Sequence, residues 1–182
     1  KILWQSLKTE IGLRTKLTDK WRVREYIKEC GLSDILVNLY GVWDDAAKIR
    51  FEDLPEKFVL KPNHGSGDII IVNDKSKINT VTVVAQINND LAKKYGELEG
   101  GRHYYDIEPV VVAEELLLND PISSQYSSSI IDYKIWCFNG KIFGTWVCYN
   151  RKGMSADTEW HDLDWKFRPE WSVFTDHYRN GK

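Results

Sequence analysis

At 182 residues, 42% hydrophobic and 29% charged, the chain is long enough to bury a core as one domain, or as one domain made of two lobes. Its 25 Lys and Arg stand against 27 Asp and Glu, and a net charge of -2 excludes any global electrostatic case for nucleic acid or an anionic membrane, so phosphate chemistry has to be local. No apolar run approaches a membrane span, and the opening Lys1-Ile2-Leu3-Trp4-Gln5 lacks the form of a secretory signal, which makes the cytoplasm the expected location. The missing initiator Met points to a trimmed chain or a piece of a longer one.

In chain order, Thr18 is the expected N-cap of a helix that opens with Asp19-Lys20, since Val23, Tyr26, Ile27 and Cys30 recur at helical spacing until Gly31 stops the pattern. Residues 35–43 are apolar and β-branched enough for a strand, and 44–49 suit a short helix. Pro55 precedes a strand at 58–60, a second apolar run at 69–72 completes a hairpin, and Asn79 caps a helix with the stripe Val84, Ile87, Leu91 that ends at Gly96. Val110-Val111-Val112-Ala113, bounded by Pro109 and by Glu114-Glu115, reads as a strand covered on both faces. A polar, Ser-rich loop over 119–129 leads to a second hairpin, 130–138 and 141–148, turning at Asn139-Gly140. On its first strand Asp132, Lys134 and Trp136 share one face. Residues 150–182 are aromatic and polar without clear periodicity.

Three scattered cysteines, Cys30, Cys137 and Cys148, have no metal-site spacing and are expected as buried, reduced thiols. A two-residue turn at Asn139-Gly140 sets Cys137 opposite Ile142 and Cys148 opposite Ile131, so these two are not bonded to each other. His103, His161 and His177 lack ligand spacing and are expected as surface or hydrogen-bonded histidines.

The stretch Lys61-Pro62-Asn63-His64-Gly65-Ser66-Gly67-Asp68 carries the most chemistry. A Lys at a strand end followed by a Gly-rich loop offers one compact positive charge and backbone N–H groups free to turn toward an anion, which is how a phosphate is held. It is neither a Walker A loop nor a dinucleotide fingerprint, because no Gly-Lys-Ser/Thr and no helix follows. Taken alone it is also a plain hairpin turn. Lys20 is equally a solvated first-turn residue, Glu114 and Glu115 an ordinary strand end facing water, and Asp132 with Lys134 an exposed ion pair of roughly 0–1 kcal/mol.

The order of these pieces resembles the ATP-grasp superfamily. Within it, Leu17-Thr18-Asp19-Lys20, Tyr40-Gly41-Val42-Trp43-Asp44, Leu54-Pro55-Glu56-Lys57-Phe58-Val59-Leu60-Lys61, Asn63-His64-Gly65-Ser66-Gly67, Ala113-Glu114-Glu115, Asp132-Tyr133-Lys134 and Cys137-Phe138-Asn139-Gly140-Lys141 are similar to the TupA-like branch, which is linked to teichuronopeptide, capsule and other polysaccharide biosynthesis. The resemblance runs from about Lys1 to the neighbourhood of Trp165. It implies an α+β, ATP-grasp fold with two α+β lobes that hold ATP between them: a single domain over 1–182, with 52–117 as the central lobe, and 1–51 with 118–182 as a remaining, incomplete lobe. It places Lys20 and Lys61 on the α and β phosphates, closes Gly65, Ser66 and Gly67 over them, and sets Asn63 and His64 where they can donate to phosphate or acceptor. Adenine would meet the carbonyl of Glu115 and the N–H of Leu117, with Glu114 alongside. Asp132 would take the ribose hydroxyls, with Asp120 as a second candidate, and Lys134 would point toward the phosphate chain or the acceptor. His64 and Lys134 are thus the expected catalytic residues.

ATP-grasp enzymes also hold Mg²⁺ with late acidic residues, and in the TupA-like branch these lie beyond the equivalent of Trp165. No such pattern precedes Arg179-Asn180-Gly181-Lys182, so the metal ligands are unknown and turnover depends on carboxylates from further sequence. The implied function is an ATP-dependent carboxylate ligase of surface polysaccharide synthesis, working through an acyl phosphate on a small-molecule, glycan or peptide acceptor. The alternatives are a non-catalytic nucleotide- or sugar-binding module and a glycosyltransferase. Trp160, Trp165, Phe167, Trp171 and Phe174 suit either sugar stacking or core packing. Asp162 and Asp164 also resemble a TupA-like segment, without an assigned role.

Overall fold

A computed structural model describes residues 8, 11–99, 101–153 and 155–172. The chain divides into two compact units, Lys1–Leu116 and Leu117–Lys182. Among the described residues no helix is long and apolar enough to cross a membrane.

The first unit holds the helices α1 (Gly12–Thr18), α2 (Val23–Glu29), α3 (Thr80–Leu91) and α4 (Tyr95–Glu99) and the strands β1 (Leu39–Trp43), β2 (Phe58–Pro62), β3 (Ile70–Val72) and β4 (Val111–Glu114). The strands form one antiparallel sheet in the order β1-β4-β2-β3. β1, which the resemblance groups with 118–182, lies in the same sheet as the hairpin of β2 and β3, because the edge of β4 offers it a ladder. Period-2 alternation sends Phe58 and Leu60 of β2 and Val111 and Ala113 of β4 to one face. There they meet Val83 and Ile87 of α3, with Ala46, Ile49 and Leu54 closing the core. Each such side chain contributes roughly 1.5–3 kcal/mol on leaving water. Val59, Lys61, Val112 and Glu114 therefore occupy the opposite face.

Local chemistry explains where the helices begin and end. Thr18 is the last residue of α1 rather than the cap of the next helix. Asp19 instead holds the turn that leads into α2, its Oδ1 accepting the N–H groups of Trp21 (2.8 Å) and Arg22 (3.1 Å). After α2, Gly31 sits at φ +74°, with Leu32 N–H donating to Ile27 O and Gly31 N–H to Lys28 O, the paired bonds of a glycine-terminated helix. Asn79 caps α3 as expected, its Oδ1 accepting from Thr82 N–H at 3.1 Å. That helix stops at Leu91, five residues before Gly96, because the chain tightens where Lys93 N–H reaches back only to Asp90 O. Gly96 lies inside α4, where a Cβ would stand 3.0 Å from the Tyr105 ring. The strand expected over 35–43 is confined to β1. A 3-10 turn occupies Ser33–Ile35, and Val37 O is taken by the Arg24 guanidinium instead of a ladder partner.

The second unit is a three-stranded antiparallel meander, β5 (Asp132–Phe138), β6 (Lys141–Lys152) and β7 (Ser155–His161). Asn139 (φ +50°) and Gly140 (φ +74°) make the tight turn between the first two strands. A bulge follows: Cys137 pairs with Ile142 but Trp136 pairs with Gly144, leaving Phe143 as an extra residue on β6. Cys148 consequently faces Asp132, not the expected Ile131. All three cysteines are free, yet only Cys148 is buried, Cys30 and Cys137 being exposed, which corrects the expectation of three buried thiols. β7 lies where no periodicity was evident.

Candidate functional site

The non-core face of the first sheet carries a charged corner. Lys61 on β2 lies opposite Val112 of β4, so its ammonium reaches diagonally to Glu114, where Nζ stands 2.5 Å from Oε2. Glu114 is only 5% exposed, so it is not the water-facing strand end that isolated carboxylates usually make. Its Oε1 lies 3.5 Å from Nη1 of Arg24, whose Nη2 donates to Val37 O at 2.6 Å. A buried carboxylate held by two cations is strongly committed to them, since removing one partner of such a group costs about 3–5 kcal/mol.

Lys20 closes the corner from the other side. Its ammonium donates to Gly65 O at 2.6 Å and lies 3.4 Å from Asn63 O, while its own N–H donates to Asn63 O at 3.1 Å. Burial, and then the neighbouring charge of Lys61, pushes the Lys20 ammonium down to about 8. The structure thus sets two lysines and a glycine loop in one place, and removes Lys20 from the solvated role open to it.

The loop itself is tied down from beneath. Gly65 stands at φ +83° with its α-carbon against Tyr95, where a Cβ would meet the ring at 2.7 Å, and Tyr95 Oη donates to Ser66 O at 3.3 Å. Gly67, at φ +95°, has open space around it. Lys93 bridges Asp68 (2.8 Å) and Asp90 (2.7 Å), and the hydrogen bonds it donates to both carboxylates hold its ammonium well above the usual lysine range. Asn63, expected to donate to a ligand, is fully buried and extends the β2–β4 ladder. Its Oδ1 accepts Val110 N–H (2.8 Å) and its Nδ2 donates to Glu108 O (3.0 Å), so its side chain is already occupied. His64 Nε2 lies 3.0 Å from Lys93 O, and a carbonyl only accepts, so Nε2 carries the proton and Nδ1 the lone pair. That Nδ1 is buried without a partner, and burial lowers the imidazole's pKa, which keeps the ring neutral near pH 7.

The remaining predicted residues lie further along the chain. Glu115 is engaged with Asn38, whose carbonyl takes its N–H at 2.9 Å and whose Nδ2 donates to its carboxylate at 2.8 Å. Leu117 is exposed. In the second unit Asp132 and Lys134 share a face of β5 and pair with each other, with Arg151 Nη2 3.9 Å from Asp132. Asp120 is spent on a local turn, accepting from Ile122 and Ser123. His103 packs against the Tyr104 ring, and His177 and Phe174 lie outside the described residues.

Trp136, Trp146 and Trp160 occupy the same face as Asp132 and Lys134. With Phe138, Phe143 and Trp171 they line an open hollow of about 700 Å³. On the opposite face Glu159 is buried between Tyr149 Oη (2.8 Å) and His161 Nε2 (3.2 Å), and Trp165 stacks on His161. Asp162 organises the loop that follows, accepting the N–H groups of Asp164 and Lys166 and an ion pair from Arg168 at 2.6 Å.

Sequence reasoning missed Arg24, Lys93 and Tyr95 at the first site. Arg24 has no local signal, as its partner Glu114 is 90 positions away. The Asp68, Asp90 and Lys93 set is legible only once the hairpin is seen to pack on the end of α3.

A family model described as TupA-like ATPgrasp matches residues 1–175. The chain belongs to this TupA-like ATP-grasp family, and its α+β architecture is of the ATP-grasp type. A comparison with curated proteins and one with solved structures each give no match. The family implies ATP with Mg²⁺. The paired lysines and the positive-φ glycine loop fit a polyphosphate. Among the described residues no group of three or more His, Cys, Asp or Glu is placed to hold a metal ion, so no metal ligand is assigned.

Proposed function

We propose that the corner of Lys20, Lys61 and the Gly65-Ser66-Gly67 loop holds the phosphates of ATP. The observation that carries this reading is the crowding of Lys20 and Lys61 beside glycines at φ +83° and +95°, an arrangement unfavourable to the empty protein and favourable to an anion. Lys20 and Lys61 bind and orient the phosphates. Gly65 and Gly67 let the backbone approach them, and the carbonyl of Glu115 with the N–H of Leu117 takes the adenine edge, Glu114 lying alongside with its carboxylate held by Lys61 and Arg24. The family pattern gives Asp132 the ribose hydroxyls and Lys134 the phosphate chain or the acceptor. His64, held as the Nδ1 acceptor tautomer, is suited to take the proton that the attacking amine releases rather than to donate one to phosphate.

On this reading the protein is a cytoplasmic, ATP-dependent ligase of surface polysaccharide synthesis. The γ-phosphoryl group passes to an acceptor carboxylate as ADP leaves. An amine or other nucleophile then attacks the acyl carbon and inorganic phosphate departs. The aromatic hollow of Trp136, Trp146 and Trp160 favours a second reading, a nucleotide- or sugar-binding module without turnover.

Thermal unfolding with and without ATP tests the binding step. ATP at about 100 times its dissociation constant stabilises by about 2.7 kcal/mol, and Lys61→Ala abolishes the shift. No shift in the wild-type protein would sink the nucleotide reading. ATP-dependent stabilisation without ADP release, across mixtures of carboxylates and amines, selects the module over the ligase.

A further inference from the structure

We infer that Arg24 is a positioning residue of the phosphate corner: through Glu114 it sets how much of the Lys61 charge is left for a bound anion. This rests on the ATP-binding reading above. The carboxylate of Glu114 is one negative charge with two oxygens, and the structure divides them, Oε2 to Lys61 at 2.5 Å and Oε1 to Arg24 at 3.5 Å. Arg24 does not simply follow Glu114. Its second arm is fixed 2.6 Å from Val37 O, in the segment leading into β1, so the guanidinium is a stationary claimant on the carboxylate. Both side chains are largely out of water, at 12% and 7% exposure, whereas Lys61 keeps 25%.

One carboxylate between two cations leaves the group with a net positive charge, and the exposed share of it belongs to Lys61. Remove the Arg24 cation and Glu114 has one partner left. Both oxygens then turn to Lys61, the pair becomes neutral, and an incoming phosphate has to compete with a buried internal counter-ion. Lys20 does not substitute for Arg24, because its ammonium is committed to Gly65 O. Adenine and ribose meet no part of this arrangement that depends on the charge of Lys61.

Binding of ATP, inorganic tripolyphosphate and adenosine, read by displacement of a fluorescent nucleotide, separates a charge-setting role from a structural one. Arg24→Gln weakens ATP and tripolyphosphate about tenfold and leaves adenosine within about twofold. Adding Glu114→Gln to that variant releases Lys61 and restores tripolyphosphate binding toward the wild-type value, a non-additivity that a packing defect does not produce. Arg24→Lys keeps the charge without the fork and falls between. Equal losses for tripolyphosphate and adenosine, or no loss in Arg24→Gln, overturn the inference. Should Arg24→Gln lack a cooperative melt, the same comparison on Arg24→Lys decides. Wild-type protein that binds neither ATP nor tripolyphosphate overturns the nucleotide reading and this inference with it, whereas wild-type binding with indifferent Arg24 variants overturns the inference alone.

Discussion

Lys20 is a cation in a place that disfavours cations. Burial and Lys61 bring its ammonium to about 8 from the ordinary 10.5, so between those values the folded protein has released a proton that the unfolded chain still holds. Stability therefore rises as pH goes from about 8 to 10.5, and the rise is missing in Lys20→Met when the two are compared by chemical denaturation across that window. A bound polyphosphate has the opposite preference and favours the protonated amine. ATP affinity is accordingly expected to fall above pH 8. Calorimetry at pH 8 in buffers of different ionisation enthalpy should register proton uptake on binding that Lys20→Met loses. Lys61 was legible from its place at a strand end before Gly65, because strand and loop are contiguous. The burial of Glu114 was not, since it depends on Arg24 folding back across 90 positions.

Among the elements, the β2–β4 pair and the loop after it make separable predictions. Asn63→Ala leaves Val110 N–H without its partner in a buried site, at about 1–3 kcal/mol, and a denaturant midpoint should fall with little selective effect on adenosine. Gly65→Ala meets both a positive φ and the Tyr95 ring at 2.7 Å, while Gly67→Ala meets only the positive φ. The second should cost about 1–2 kcal/mol and the first distinctly more, by urea unfolding. Elements written in neighbouring residues could be read in advance. Asn79 caps its helix through Thr82, and Asn139-Gly140 supplies two positive-φ positions for a hairpin. Elements decided by tertiary packing could not. The end of α3 at Leu91 is set by the turn at Ala92 and Lys93 beneath the hairpin, and the bulge at Phe143 shifts the register by one residue that no local pattern marks. β7 escaped notice because its buried positions, Thr158, Glu159 and His161, are polar, so no alternation of apolar and polar residues marks it.

For the molecule as a whole, thiol chemistry is a direct check on which surfaces are open. Cys30 and Cys137 are exposed, and burial pushes the Cys148 thiol up. A thiol-reactive dye should titrate two cysteines in the native protein and the third only in denaturant. Each unit has its own sheet, so the ties that shape the phosphate corner all lie in the first. Tyr95 beneath Gly65, Lys93 across Asp68 and Asp90, and Lys20 on the Gly65 carbonyl hold the loop in its turn before any ligand arrives. Its conformational entropy is thus surrendered during folding and not at the moment of association. On the ATP-binding reading, a nucleotide meets a loop already ordered, and more of the energy of its contacts remains as affinity.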